Sequence, residues 1–518
     1  MCIRDRIYRY TRPDGTEEVR KRERKVLVYV QNLDFDIRFL LHYFHQKGIC
    51  PDLRENQKIL EMRVGNVIFR DSYQFLLTGQ AEAEKTFLGE KIKYTGIDFY
   101  NASEEDYVKR VKSDVKGLYE VMKVYSQYYY YDFDQRVTRF STLPSLAINI
   151  LRTDVLNKTG VDIYKLNPYI IPTKEFGYVF KSLFAIFRYE FVRKAYGGGR
   201  NEINILKVSP KFKNNPYYFY DYLYYYDFNS LYPTVCIKYP YPNPKDAYFV
   251  EGMTLEEFYR DVKGKKMYII HALVEENNFF PILPTRYEGL KFVNGVKEVY
   301  VASPEFEFFL EKGGKIIKII DILVYNSFDY YLRPFYEHLY KERLKAKNSG
   351  DKVRSYVYKI IMNSAYGKFG EKIIRESWVL KWGEEVEAVM EENDNTDIYN
   401  KEFINFKKRI KAIHKKTGES IEFLEEEEFL DWLQEIYDKY GAAGLKKYAI
   451  KRYGGYYMEW EATHRLKPYQ IVDFAAFITS YARLELIKLI YKIHEAGYQV
   501  VYYDTCLLYT SDAADEGL

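Results

Sequence analysis

A chain of 518 residues and 62.0 kDa, 47% hydrophobic and 29% charged, carries enough apolar surface for several packed domains, which excludes wholesale disorder. No uncharged apolar run reaches the roughly 20 residues of a membrane span, and no apolar signal core follows the N-terminus, so the expectation is a cytoplasmic monomer with no membrane partner. Four cysteines (Cys2, Cys50, Cys236, Cys506) in no paired spacing and seven His exclude a disulfide framework and a zinc centre, and a net charge of +4 leaves nucleic-acid contact to local patches.

Residues 1–170 alternate strand and helix signals. Val26-Leu27-Val28-Tyr29-Val30 is a continuous apolar run of strand length. A helical pattern starts at Asp36, and a second strand, Val67-Ile68-Phe69, leads into Arg70-Asp71-Ser72. Helices are expected from about Glu104 to Tyr125 and from Ser141 to Arg152, and Tyr196-Gly197-Gly198-Gly199 reads as a flexible break. An aromatic strand, Tyr222 to Tyr226, follows, then a mixed region to Phe328 and a long helical stretch from Leu332 to Gly370. Residues 371–455 change character. Acidic runs (Glu384–Glu392, Glu425–Glu428) and a basic cluster (Lys407, Lys408, Arg409, Lys411, Lys415, Lys416) mark them as an insertion rather than core. Ile471 to Ala496 is helical again, and Gln499 to Tyr503 is a strand.

Two constellations carry chemistry. In Tyr226-Asp227-Phe228-Asn229-Ser230-Leu231-Tyr232-Pro233 a strand delivers Asp227 to its carboxyl end, where a carboxylate can meet a hard cation. The Pro suits a first helical turn, whose free N–H groups are natural partners for a phosphate. A strand–helix corner with a capping Asp is the bland alternative. In Lys359-Ile360-Ile361-Met362-Asn363-Ser364-Ala365-Tyr366-Gly367, the residues Lys359, Asn363 and Tyr366 share one helix face. A cation, an amide and a ring in line suit a nucleoside triphosphate. Taken alone, that helix reads more readily as amphipathic packing with a solvated Lys.

Asp-x-x-Ser-Leu-Tyr-Pro, then Lys-x-x-x-Asn-Ser-x-Tyr-Gly, then Tyr-x-Asp-Thr, in that order, resemble the palm and fingers motifs of family B DNA polymerases. Tyr196-x-Gly198-Gly199 resembles the DNA-binding linker of the protein-primed branch of phages, adenoviruses and linear plasmids. The resemblance implies that Asp227 and Asp504 are catalytic and hold two Mg²⁺ (or Mn²⁺) ions, and that dNTPs are the substrates. It implies that Tyr232 gates the sugar, that Lys359 binds triphosphate, and that Asn363 and Tyr366 line the nascent pair. Lys347, in a helical cluster with Lys341, Arg343 and Lys345, is a further phosphate candidate. The N-terminal part resembles the 3′–5′ exonuclease of the same enzymes, with Asn32 on the single strand and Asp36 and Asp114 as metal carboxylates. The family places a Tyr where Arg110 stands; Tyr107, two turns back, is the substitute on offer.

The implied fold is an α/β ribonuclease-H-like exonuclease domain joined to an α+β right-hand polymerase with palm, fingers and two insertions, its thumb missing. The expected divisions are exonuclease 7–195, linker and first palm part 196–245, first terminal-protein-region insertion 246–331, fingers 332–370, second insertion 371–455 and second palm part 456–505. Residues 1–6 and 506–518 look like translated sequencing-adapter DNA, so the expectation is an internal fragment. The family's second motif carboxylate is replaced by Cys506, a poor Mg²⁺ ligand, and an Asp-x-Glu pair ahead of Asn32 is missing. The chain as written is therefore a DNA-directed DNA polymerase with an impaired site. Template and primer DNA and a terminal protein are the expected partners, in a phage host's cytoplasm or the mitochondrion of a plasmid host. An RNA-primed family B enzyme and a non-catalytic DNA-binding fragment remain the alternatives.

Overall fold

The structure, a computed structural model, describes residues 6–11, 17–22, 25–56, 58–90, 92, 102–173, 177–203, 223–228, 230–286, 289–382, 410–413, 420–423, 431–432, 434–435, 439, 456–464, 466–498, 500–505 and 507–511. Cys506, the two acidic runs and most of the basic cluster lie outside the described residues. The chain forms two compact units, Met1–Leu143 with Ile374–Arg465, and Pro144–Ile373 with Leu466–Leu518.

The first unit is built on a six-stranded sheet in the order Tyr456–His464, Ile374–Trp382, Asp52–Asn56, Lys58–Val64, Val67–Asp71, Val26–Val30. Only Val26–Val30 and Val67–Asp71 run parallel. Helix Leu33–Gln46 covers the sheet because Leu33, Ile37, Leu41 and Phe44 recur at helical spacing and pack on Leu53, Ile59, Met62 and Leu380. Its first turn carries Asp34 and Asp36, which favour the positive end of the helix dipole. The long helix Glu104–Phe133 runs eight residues past the expected end at Tyr125, since Tyr125 and Tyr129 are both buried on one face. Ser103 and Asp106 close its start as a capping box.

Three differences from the expected divisions stand out. Ile374–Trp382, placed in the second insertion, is a sheet strand that buries Val379 and Leu380. Tyr456–His464, expected in the palm, pairs along its whole length, from Ile374↔His464 to Trp382↔Tyr456. The charge density of 384–416 disguised a strand at its edge. The unit boundary also falls after Leu143 rather than after 195. Helix Leu183–Ala195 belongs to the second unit, where its Arg188 meets Asp473.

The second unit holds two antiparallel sheets of four strands. One runs Leu223–Asp227, Leu507–Ser511, Val500–Asp504, Asn201–Ile203. The other runs Ala247–Glu251, Lys315–Tyr325, Met267–Glu276, Gly295–Ala302. Helix Val472–Glu495 is the core, buried over most of its length. The helical stretch expected from 332 to 370 consists of two helices, Arg333–Asn348 and Lys352–Ala365, packed on each other and followed by a 3₁₀ turn, Tyr366–Gly370. Asp351 starts the second by accepting the Arg354 N–H at 2.9 Å.

Cys236 lies inside helix Leu231–Lys238, and burial pushes its thiol up to about 12, whereas Cys50 is exposed. Alkylation at pH 8 is expected to label Cys50 and spare Cys236 until denaturant is added; labelling of both in the native protein would contradict this core.

Candidate active site

Asp227 ends the strand Leu223–Asp227 and pairs with Leu507, which pairs in turn with Asp504 on the next strand, itself opposite Asn201. Residues directly opposite in antiparallel strands project to the same face. Asp227 and Asp504 therefore share one face of the sheet, two strands apart, or roughly 10 Å between backbones. Oxygen-only donors of this kind fit a hard divalent cation. Among the described residues no group of three or more His, Cys, Asp or Glu is arranged to hold a metal ion. Cys506, the position where a further carboxylate was sought, lies outside the description.

Beyond Asp227 the chain turns sharply into helix Leu231–Lys238. Ser230 takes a left-handed conformation at φ 54 to make that turn, and Arg343 of helix Arg333–Asn348 donates to its hydroxyl at 3.5 Å. Tyr232, in the first turn, stacks on Tyr366 with ring centroids 4.4 Å apart and planes 22° from parallel. The two motifs are thus brought together by a ring pair. Lys359 and Asn363 are exposed on helix Lys352–Ala365, two turns and one turn before Tyr366 respectively. Lys347 is exposed near the end of Arg333–Asn348, while its neighbours Lys341 and Lys345 pair with Glu337 and Glu342 of their own helix.

The Tyr196-Gly197-Gly198-Gly199 segment is a packed joint, not a flexible break. A β-carbon at Gly199 would lie 2.7 Å from Thr505 Cγ2 and 2.9 Å from its Cβ, and one at Gly370 would lie 2.5 Å from the Tyr196 ring. Arg193 faces that ring at 5.2 Å and donates to the Gly370 carbonyl at 2.5 Å. Arg286 donates to the Tyr196 carbonyl, and Arg483 to that of Gly198 at 2.8 Å. Gly199 is there for close approach, a signal that sequence alone does not separate from flexibility, whereas a β-carbon at Gly198 would meet nothing within 4 Å.

In the first unit, Asn32 sits at φ 63 ahead of helix Leu33–Gln46, its N–H donating to Asp71 Oδ1 at 3.0 Å. Buried Asp71 also accepts the Tyr73 N–H at 3.0 Å, which fixes both turns. Sequence reading passed over Asp71, although a carboxylate closing a predicted strand was the available signal. Asp36 lies one turn beyond Asn32, and partial burial raises its carboxyl above the usual range. Asp114, on the separate helix Glu104–Phe133, is held by Arg110 at 3.0 Å, and Tyr107 is exposed on the same helix.

With this geometry in view, the family model for DNA polymerase type B, organellar and viral, matches residues 91–440. The chain belongs to that family. It is 25% identical over 351 residues to the DNA-directed DNA polymerase of Enterobacteria phage PRD1, covering 65% of this chain and 50% of that one. A probable DNA polymerase of Podospora anserina is 26% identical over 267 residues, 51% of this chain and 19% of its own. The chain thus spans between a fifth and a half of the length of these relatives. Among solved structures, phi29 DNA polymerase complexed with primer-template DNA and incoming nucleotide superposes with a TM-score of 0.58 at 14% identity, over 95% of this chain and 72% of that one. The fold is that of a family B polymerase.

Gly199→Ala is expected to cost about 1–3 kcal/mol through overpacking on Thr505, whereas Gly198→Ala, with nothing within 4 Å of the added carbon, should change little. Equal thermal midpoints for the two variants would remove the close-packing explanation.

Proposed function

We propose that this chain is the exonuclease-and-palm portion of a DNA-directed DNA polymerase that extends a primer 3′-hydroxyl with dNTPs on a DNA template. The observation that carries the reading is the Asp227–Leu507–Asp504 row, with Tyr232 stacked on Tyr366 one turn beyond it. Asp227 and Asp504 would hold Mg²⁺ or Mn²⁺. When bound, two such ions activate the attacking hydroxyl and stabilise the leaving pyrophosphate. The chain's own contributions are separate from that chemistry. The Tyr232–Tyr366 stack forms a flat wall for the sugar and base, which disfavours a 2′-hydroxyl. Lys359, with Lys347, supplies charge for triphosphate, and Asn363 offers an amide to the nascent pair.

Priming from a terminal protein is supported by the Tyr-x-Gly-Gly joint and by the resemblance of segment 246–331 and of the charged sequence after Trp382 to the branch's insertions. Proofreading by Asn32, Asp36 and Asp114 is supported by the Asn32 turn, with Arg110 on Asp114 as its weak point. Tyr196, Gly198 and Gly199 are proposed to face DNA. A monomer in the cytoplasm of a phage host fits the phage relative; among the described residues no helix is long and apolar enough to cross a membrane. A second reading, DNA binding without catalysis, is favoured by one observation, Cys506 in place of a carboxylate.

Primer extension with Mg²⁺ and the 518-residue chain tests these readings. Asp227→Ala is expected to lower extension by roughly 10²–10³-fold or more, and Lys359→Ala to raise the dNTP KM by roughly 10–100-fold. Tyr232→Val should admit ribonucleotides. If the chain binds primer-template but extends nothing, and Cys506→Asp confers extension, the second reading holds for this chain; extension unaffected by Asp227→Ala would reject the site.

A further inference from the structure

Asp504 lies between Tyr503 and Thr505, and Arg200 grips both. Its carbonyl accepts the Thr505 N–H at 2.8 Å. Its guanidinium faces the Tyr503 ring at 5.3 Å and the Phe292 ring at 4.1 Å. The same group donates through Nε to Glu202 Oε2 at 2.8 Å and through Nη1 to the Pro281 carbonyl at 2.6 Å, and Nη2 lies 2.6 Å from Glu202 Oε2. Glu202 also accepts the Tyr503 hydroxyl.

Arg200 is only 1% exposed. Taking a guanidinium out of water costs several kcal/mol before its partners return anything, so the position demands a reason. A planar fork with donors on several edges can tie three separate segments at once, which an ammonium cannot. Here those segments are the strand Asn201–Ile203, the loop at Pro281 with the strand Leu290–Phe292, and the strand Val500–Asp504. Thr505 needs such support. It sits at φ 54, a left-handed conformation that a β-branched residue keeps only when its surroundings enforce it. Gly199 packs on its side chain, and the main-chain carbonyl of residue 200, independent of the guanidinium, takes its N–H.

We infer that Arg200 is the positioning residue for Asp504: its guanidinium holds Tyr503, across the ring and through Glu202, and so keeps the neighbouring carboxylate on the row with Asp227, while its main-chain carbonyl fixes Thr505 on the other side. The inference rests on reading Asp227 and Asp504 as the metal-holding pair. It makes Arg200 act through its neighbours, with no contact to substrate. Arg200→Lys keeps the charge beside Glu202 and loses the fork; Arg200→Met loses both.

Two readouts on the full 518-residue chain test it, hydrogen exchange of peptides within 500–505 and Mn²⁺ binding followed by electron paramagnetic resonance. Arg200→Met is expected to retain its far-ultraviolet circular dichroism, to exchange at 500–505 at least about tenfold faster, and to weaken Asp227-dependent Mn²⁺ binding by about 10–100-fold. Arg200→Lys should recover part of both. Unchanged exchange and unchanged Mn²⁺ affinity in Arg200→Met overturn the inference. Should Arg200→Met fail to fold, Glu202→Ala removes the acceptor that Arg200 and Tyr503 share, and the same two outcomes decide. A wild-type chain with no Mn²⁺ binding that Asp227→Asn abolishes would overturn the metal reading of the pair instead, while exchange still decides whether Arg200 holds the strand.

Discussion

Helix Val472–Glu495 carries two buried charges, and the second unit is organised by what satisfies them. Asp473, fully buried, accepts the Tyr169 hydroxyl at 2.5 Å and the Tyr325 hydroxyl at 2.7 Å, and pairs with Arg188 at 3.2 Å. Ten residues on, Arg483 meets Glu305 through two nitrogens at 2.6 and 2.8 Å and reaches the Gly198 carbonyl. Breaking one partner of a buried pair costs about 3–5 kcal/mol, so these contacts fix which helices and strands surround the core. Tyr169, Arg188, Glu305 and Tyr325 come from four distant segments. The helix is therefore a buried template whose charges prescribe its neighbours, and the sheet bearing Asp227 and Asp504 belongs to the unit so assembled.

Strain and close approach concentrate at the motifs. Five non-glycine residues take positive φ among the described residues, and three of them, Asn32, Ser230 and Thr505, stand at the turns that present site residues. Each such position costs of the order of 1–3 kcal/mol, which the local packing must offset. Thr505 is opposed by Gly199 and Arg200, Ser230 by Arg343, and Asn32 by Asp71. Precision at these corners comes from hydrogen bonds and close packing to remote residues rather than from the turn sequences themselves.

Much of this was legible in the chain. The Asp227 strand, the helix bearing Lys359 and Asn363, and the apolar stretch near 472–495 announced themselves through periodicity and motif order. Local signals failed where the partner is remote. Trp378 pairs with Glu55 across more than three hundred residues, and nothing near Ile374 advertises that strand against the charged sequence that follows. The glycines after Tyr196 were misread for a related reason: freedom and crowding select the same residue, and only the position of Thr505 separates them. Arg200 and Asp71 went unremarked because a lone charged residue carries no spacing, and their roles depend on burial.

The shared sheet of the first unit also sets an order of events during synthesis. Strands from 52–71 must wait for Ile374–Trp382 and Tyr456–His464 before the sheet is complete. At roughly 5–20 residues per second on the ribosome, roughly 20–80 s separate the emergence of Asp71 from that of His464. Until Ile374–Trp382 emerges, Asp52–Asn56 is an open edge, able to pair with any strand that reaches it. Most of the second unit emerges within the gap. Expression of this chain is consequently a kinetic contest, in which slow completion of one sheet exposes it to neighbouring nascent copies on the same message.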